Sequence, residues 1–84
     1  MKIVRFSQHA LDKLDLLAKR GFTVTQAAVI ETLQFPDKVE SNKYPSIAQR
    51  RISERLVLRV VFTEDEEKLF VVTFYPAERR RYED

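Results

Sequence analysis

The sequence predicts an α+β fold with a short N-terminal strand, followed by a two-helix hairpin that packs on one face of a three- to four-stranded antiparallel meander sheet. Three observations lead to this prediction. Leu56–Phe62 and Lys68–Tyr75 are runs of β-branched and aromatic residues around a charged loop, which is the pattern of a β-hairpin. Residues 8–34 carry apolar side chains at helical spacing, interrupted by the only glycine of the chain. The alternating run Ile47–Ile52 precedes the hairpin and extends it into a meander.

Length and composition indicate one small domain, residues 1–84, with a charged tail at 77–84. Because the chain has no cysteine and one histidine, we expect neither a thiolate site nor a histidine cluster, and therefore no metal and no cofactor. It has no apolar run of membrane-spanning length and no signal-peptide core, so we expect no membrane association, and the absence of cysteine fits a reducing cytoplasm.

The N-terminal part predicts a strand and a helix. Lys2–Phe6 has the partial alternation of a short strand. Ser7 is a favourable N-cap for a helix over Gln8–Arg20, whose apolar residues fall on one stripe. Gly21 stands where a helix commonly ends in the left-handed conformation.

A second helix is predicted over Val24–Gln34, with Thr23 as N-cap in a capping box with Gln26 and with Pro36 beyond its end. The short connection between the two helices predicts a helical hairpin. Residues 37–41 then form an edge strand or a loop, residues 42–46 a turn, and residues 76–84 a short helix or a frayed end.

The predicted register of the hairpin places Phe62 opposite Lys68 and Val60 opposite Phe70. Because side chains alternate along a strand, one face is then apolar and must be covered by the helices. That face holds Leu56, Leu58, Val60, Phe62, Phe70, Val72 and Phe74. The other face is mixed and at least partly open, and it holds Val57, Arg59, Val61, Leu69, Val71, Thr73 and Tyr75.

A series of short motifs follows the chain in order, and together they resemble a family of short uncharacterised bacterial toxin-like domains. The motifs are Phe6-Ser7-Gln8-His9-Ala10, Lys13, Lys19-Arg20-Gly21-Phe22, Phe35-Pro36-Asp37-Lys38-Val39, Leu58-Arg59-Val60-Val61-Phe62 and Val71-Val72-Thr73-Phe74-Tyr75-Pro76. That family is similar in fold to the RelE/ParE and BrnT toxins of toxin–antitoxin modules. The tail Ala77–Tyr82 also resembles the arginine-rich end of BrnT-type toxins, whereas Lys13 stands where the family more often has arginine.

This resemblance implies an RNA-directed protein, a candidate ribonuclease of the mRNA interferase type or a binder of RNA or the ribosome. It also implies a cognate antitoxin protein as a partner. The alternative is a non-catalytic protein-interaction module that retains the toxin fold, because fold does not determine function.

Three residues are the candidates for catalysis. His9 is a candidate acid–base group or phosphate ligand, because histidine is the residue type that commonly serves these roles; alternatively it helps to cap the helix and packs on Phe6 or a neighbouring strand. Arg59 lies between valines in a central strand and needs an anionic partner, either a phosphate or a carboxylate of Glu31, Glu40 or Glu54. Tyr75 offers a hydroxyl on the same face, and its alternative role is that of a strand former.

A wider set of residues is predicted to contact RNA. Tyr82 beside the terminal arginines is a candidate for stacking on a base, although a solvated basic tail is the simpler explanation. The predicted nucleic-acid-binding residues are Lys13, Arg20, Arg51, Arg55, Thr73, Arg79, Arg80 and Arg81.

Overall fold

The computed structural model describes residues 2–83 and confirms the α+β class. The sheet has five strands in the order β1-β5-β4-β3-β2, so it is larger than the predicted meander. The elements are β1 (Ile3–Phe6), α1 (Gln8–Lys19), α2 (Gln26–Gln34), β2 (Lys38–Glu40), β3 (Ser46–Arg51), β4 (Leu56–Glu64), β5 (Lys68–Glu78) and α3 (Arg79–Tyr82).

The sheet is mixed, whereas the sequence predicted an antiparallel one. β1 runs parallel to β5, and the other three strand pairs are antiparallel. A parallel pair requires a long crossover between its strands, and here everything from α1 to β4 lies between them. Local alternation identifies a strand but carries no information about such a distant partner, which explains the error.

Both ends of α1 form as predicted. The Ser7 hydroxyl accepts a hydrogen bond from the Ala10 amide at 3.0 Å and donates one to the Val72 carbonyl at 2.7 Å, so the cap also fastens α1 to β5. At the other end, Gly21 has φ +88°. The Phe22 amide bonds to the Leu17 carbonyl and the Gly21 amide to the Ala18 carbonyl, which is the Schellman arrangement.

The start of α2 differs from the prediction. Thr25, not Thr23, is the N-cap, and its hydroxyl accepts a hydrogen bond from the Ala28 amide at 3.0 Å. Val24 is thereby left outside the helix, and its half-buried side chain packs against the core. The buried core between helices and sheet consists of Ala10, Val29, Leu58, Val60, Val71 and Phe74.

The register of the central hairpin also differs from the prediction. Val60 pairs with Phe74 rather than with Phe70, because β4 continues to Glu64 and the hairpin turns more tightly. A β-bulge opposite Val61 and Phe62 leaves Val72 unpaired in β5. One extra residue exchanges the two faces of the strand beyond it.

Because of the bulge, residues 69–72 of β5 face the opposite sides of the sheet from those predicted. Val71 is fully buried in the helix-side core, although the simple alternation placed it on the mixed face. Phe70 was predicted in the core, but its side chain lies on the opposite face and is 36% exposed. In the strand pairing, Phe70 is the partner of Arg5 in β1. Phe74 is buried as predicted, because the partner of Val60 is shifted by four residues, from Phe70 to Phe74, and an even shift keeps the same face.

Candidate functional site

Arg59 lies at the centre of β4 on the sheet face away from the two long helices, and its side chain is only 4% exposed. Its three nitrogens bond to three different neighbours. Nε donates to the Tyr75 hydroxyl at 2.9 Å, Nη2 donates to a Glu40 carboxylate oxygen at 3.0 Å, and Nη1 donates to the Gln49 amide oxygen. Of the three carboxylates predicted as partners of Arg59, Glu40 is the one that pairs with it.

The C-terminal helix covers this cluster from the outside. The ring centroid of Tyr82 lies 4.1 Å from Cζ of Arg59, which places the ring over the guanidinium. The Tyr82 carbonyl accepts hydrogen bonds from Lys38 Nζ at 3.1 Å and from Gln49 Nε2 at 3.3 Å. The mixed face is therefore closed at Arg59, where the sequence predicted it to be partly open.

Arg79 holds α3 against the loop between β3 and β4. Its Nε contacts the Glu83 carboxylate at 2.6 Å and its Nη1 donates to the Glu54 carbonyl at 2.5 Å. The Arg79 amide donates to the Arg55 carbonyl at 2.9 Å. These contacts make Arg79 part of the attachment of the tail.

The electrostatics of the cluster keep Arg59 charged. Burial by itself would lower the pKa of Arg59, but the hydrogen bonds to Tyr75 and Glu40 and the negative charge of Glu40 outweigh it, so its pKa is raised. The guanidinium is thus a permanent cation whose nitrogens already have partners within the protein.

Lys13 lies at the edge of β5, beside two neighbouring aromatic residues. Its Nζ is 5.8 Å from the ring centroid of Phe74 and 5.9 Å from that of Tyr75, and these two side chains point to opposite faces of the sheet. Partial burial lowers the pKa of Lys13. Within residues 2–83, no carboxylate forms an ion pair with it.

His9 is exposed and lies one helical turn before Lys13. Both residues line a groove along α1 together with Asp12, Asp15, Leu16 and Lys19. Ser7, not His9, caps the helix. The structure thus links three predicted residues, Lys13, Tyr75 and Arg59, through the Tyr75 ring, and it places His9 beside the first of them.

The remaining predicted residues are dispersed. Arg20 is exposed at the end of α1, Arg51 lies at the end of β3, and Arg55 lies in the following turn. The Thr73 hydroxyl is shielded from solvent and has no hydrogen-bond partner among the described residues. In the tail, Arg80 pairs with Glu78 at 3.1 Å and Arg81 is exposed.

Two residues that bind within the cluster were missed as site residues, Gln49 and Lys38. Alternation along β3 places Gln49 on the same face as Arg51, but only the pairing of Gln49 with Arg59 shows that the two side chains meet. Lys38 reaches the cluster because β2 pairs with β3 at Gln49. A search for polar residues aligned with Arg59 across neighbouring strands would have found both.

No helix within residues 2–83 has the length and apolar character needed to cross a membrane. The same residues contain no group of three histidine, cysteine or carboxylate side chains arranged to hold a metal ion. No protein-family model matches the sequence, and no match was found among curated proteins or solved structures.

Proposed function

We propose that the chain is a toxin-like, RNA-directed protein that binds RNA phosphates along the open edge of β5. The observation that carries the proposal is the position of Lys13, a partly buried cation without a carboxylate partner among the described residues. Desolvating a cation without pairing it costs free energy, and an anionic ligand at the site would offset that cost. A phosphate of the RNA backbone is such a ligand.

The surroundings of Lys13 suit a single-stranded nucleic acid. Tyr75 is half-buried beside the ammonium group and offers part of an aromatic face, on which bases stack without sequence preference. His9 lies next to Lys13 in the groove along α1 and can add a second contact to a phosphate. Arg59 supports this site indirectly, because its Nε holds the Tyr75 hydroxyl at 2.9 Å.

Binding of RNA is the activity that these contacts support, and cleavage of RNA would be a further step. Arg59 bonds internally through each of its nitrogens, so its role as a phosphate ligand in cleavage is not supported. The family resemblance implies RNA cleavage, and for that reaction His9 and Tyr75 stay the candidates for the acid–base groups.

Binding of a fluorescent single-stranded RNA to the Lys13→Ala variant tests the proposal, with Lys43→Ala as the matched control. Lys43 is exposed in the loop between β2 and β3, at the opposite edge of the sheet. We expect Lys13→Ala to weaken binding and to reduce the salt slope by about 0.7, the value for one phosphate contact on a single strand. Equal affinities of both variants and the wild type would refute the phosphate site at Lys13.

A growth assay separates toxicity from mere binding. Expression of the chain in a bacterium should arrest growth, and co-expression of a cognate antitoxin protein should relieve the arrest. Lys13→Ala should lose the effect and Lys43→Ala should keep it. RNA isolated during the arrest shows whether cleavage accompanies binding.

A second candidate function is a protein-interaction module, and the incomplete pairing of β5 favours it. β1 pairs with Lys68–Val71 only, so within residues 2–83 no strand lies beside Val72–Glu78 on that side. Pro76 fits there, since proline is tolerated in edge strands. An unpaired edge can accept a strand from a partner. Hydrogen exchange at residues 73–78 that slows when the adjacent gene product is added, without RNA binding, would favour this candidate.

A further inference from the structure

The carbonyl oxygen of Tyr82 lies at a point where two side-chain donors converge. Lys38 Nζ approaches it to 3.1 Å and Gln49 Nε2 to 3.3 Å. The guanidinium of Arg59 lies immediately beside them, under the Tyr82 ring. The chain's own carbonyl oxygen thus occupies a position that an oxygen of an anion could take.

Two of the polar groups under Tyr82, the Gln49 amide and the Arg59 guanidinium, are held in place by the sheet rather than by the tail. Gln49 is 3% exposed and Arg59 4%, and the Gln49 amide is oriented by its oxygen, which accepts from Arg59. Lys38, Gln49 and Arg59 are aligned across β2, β3 and β4 by strand pairing. If the tail moves away, Gln49 and Arg59 keep their arrangement, so the buried part of the site is preorganised, whereas the exposed Lys38 ammonium loses its bond to the Tyr82 carbonyl.

The charge of the cluster favours an anion over a carbonyl group. Arg59 and Lys38 contribute two positive charges and Glu40 contributes one negative charge, which leaves one net positive charge. A carbonyl oxygen has only a partial negative charge. A phosphate oxygen would gain more from the same donors, because charge-assisted hydrogen bonds are about twice as strong as neutral ones.

We propose that Lys38 and Gln49, next to the positive charge of Arg59, form a phosphate-binding site that the C-terminal segment closes. The cover is slight: α3 has four residues, and its contacts with the site are the Tyr82 ring and carbonyl. A ligand must displace this cover and therefore binds only those molecules in which the site is open. Its apparent affinity is the intrinsic affinity multiplied by the open fraction. That the phosphate belongs to RNA rests on the function proposed above, whereas the site itself does not.

Titration of the Tyr82→Ala variant with inorganic phosphate tests the site directly. The NMR signal of the Gln49 side-chain amide reports the binding of phosphate. Removal of the ring should lower the apparent Kd on the order of tenfold, because the closed state loses its main contact. Tyr44→Ala is the matched control, since Tyr44 is 84% exposed in the loop before β3. Arg79→Ala opens the same cover by removing its attachment and should also tighten binding.

Three substitutions in the Tyr82→Ala background test the ligand Lys38, its control Lys43 and the charge of Glu40. Lys38→Ala should abolish the gain in phosphate affinity, whereas Lys43→Ala should keep it. Glu40→Gln should tighten phosphate binding further, because it removes the one negative charge beside the site. Circular dichroism verifies that each variant is folded before it is titrated.

The phosphate titration and an RNA titration give separable results. If neither Tyr82→Ala nor Arg79→Ala binds phosphate more tightly than the wild type, the covered site is refuted, whatever happens with RNA. If both variants gain phosphate affinity and no variant binds RNA, the site stands with free phosphate as its ligand and the RNA function falls. A parallel gain in phosphate and RNA affinity supports both.

Discussion

Phe70 and Phe74 lie four residues apart on the same strand, yet they face opposite sides of the sheet. Phe74 is fully buried beneath the helices, and Phe70 is 36% exposed on the other side. Residues four apart on a regular strand share a face, so the difference arises from the bulge at Val72.

The two phenylalanines therefore provide a matched pair for a stability measurement. Phe74→Ala should lower the free energy of unfolding by about 3–5 kcal/mol because it leaves a cavity in the core. Phe70→Ala should cost less than about 1 kcal/mol, since its ring is already partly hydrated. Urea denaturation measures both values, and similar losses would show that the two rings share one face.

The neighbouring valines test the same bulge with a nearly isosteric change. Val71 is fully buried and Val72 is half-buried. Val71→Thr places a hydroxyl in the core, and we expect it to cost about 1–3 kcal/mol. Val72→Thr should cost less, since the bulged residue is closer to solvent. Thermal unfolding of the two variants gives the comparison; the reverse order would mean that regular alternation continues through residue 72.

Arg59 should prove more important for stability than a simple ion pair. Arg59→Ala removes the partner of Glu40, Gln49 and Tyr75 together. Loss of one member of a buried pair costs about 3–5 kcal/mol. Because the Glu40 side chain is 39% exposed and can be rehydrated, we expect a smaller loss, about 2–3 kcal/mol.

Arg59→Lys distinguishes the role of charge from the role of geometry. Lysine keeps the positive charge but lacks the planar fork that reaches three partners. We expect it to recover less than half of the stability lost in Arg59→Ala. Arg5→Ala is the control, because Arg5 is exposed and forms no ion pair among the described residues. Full stability of Arg59→Lys would show that charge alone matters.

Asp65 should contribute an acid-dependent part of the stability. Hydrogen bonds from the Glu67 and Lys68 amides, and more weakly the charges of Lys68 and Lys2, lower the pKa of Asp65. A carboxyl whose pKa is lower in the folded state stabilises the protein above the pKa of the unfolded state. This contribution is lost as pH falls below the pKa of an unfolded aspartate, about 4, and through the lowered value of the folded state.

The Asp65→Asn variant isolates this contribution, since asparagine can still accept the two amide hydrogen bonds without titrating. The difference in stability between wild type and variant should be constant near neutral pH and should shrink as the pH falls below about 4. Denaturation at a series of pH values measures it. A difference that does not change with pH would assign the turn no electrostatic role.

The sequence by itself determined the local features of this protein. Ser7 and Gly21 identify the ends of α1 because capping and left-handed backbone depend on a few neighbouring residues. The period-two pattern identified the central hairpin, and a charged residue between valines identified Arg59 as requiring a partner. The family resemblance suggested RNA, which stays a prediction.

Only the tertiary structure decided which distant residues meet. The parallel pairing of β1 with β5 and the stacking of Tyr82 on Arg59 join segments that are far apart in the chain. The bulge at Val72 has no distinctive local pattern, because valines occupy both faces around it. Such contacts depend on the summed packing of the whole sheet and not on the preference of any single residue. For that reason the sequence predicted that Arg59 needs a partner and offered Glu40 as one of three carboxylates, whereas the choice of Glu40, the bonds to Gln49 and Tyr75 and the cover by Tyr82 became known from the fold.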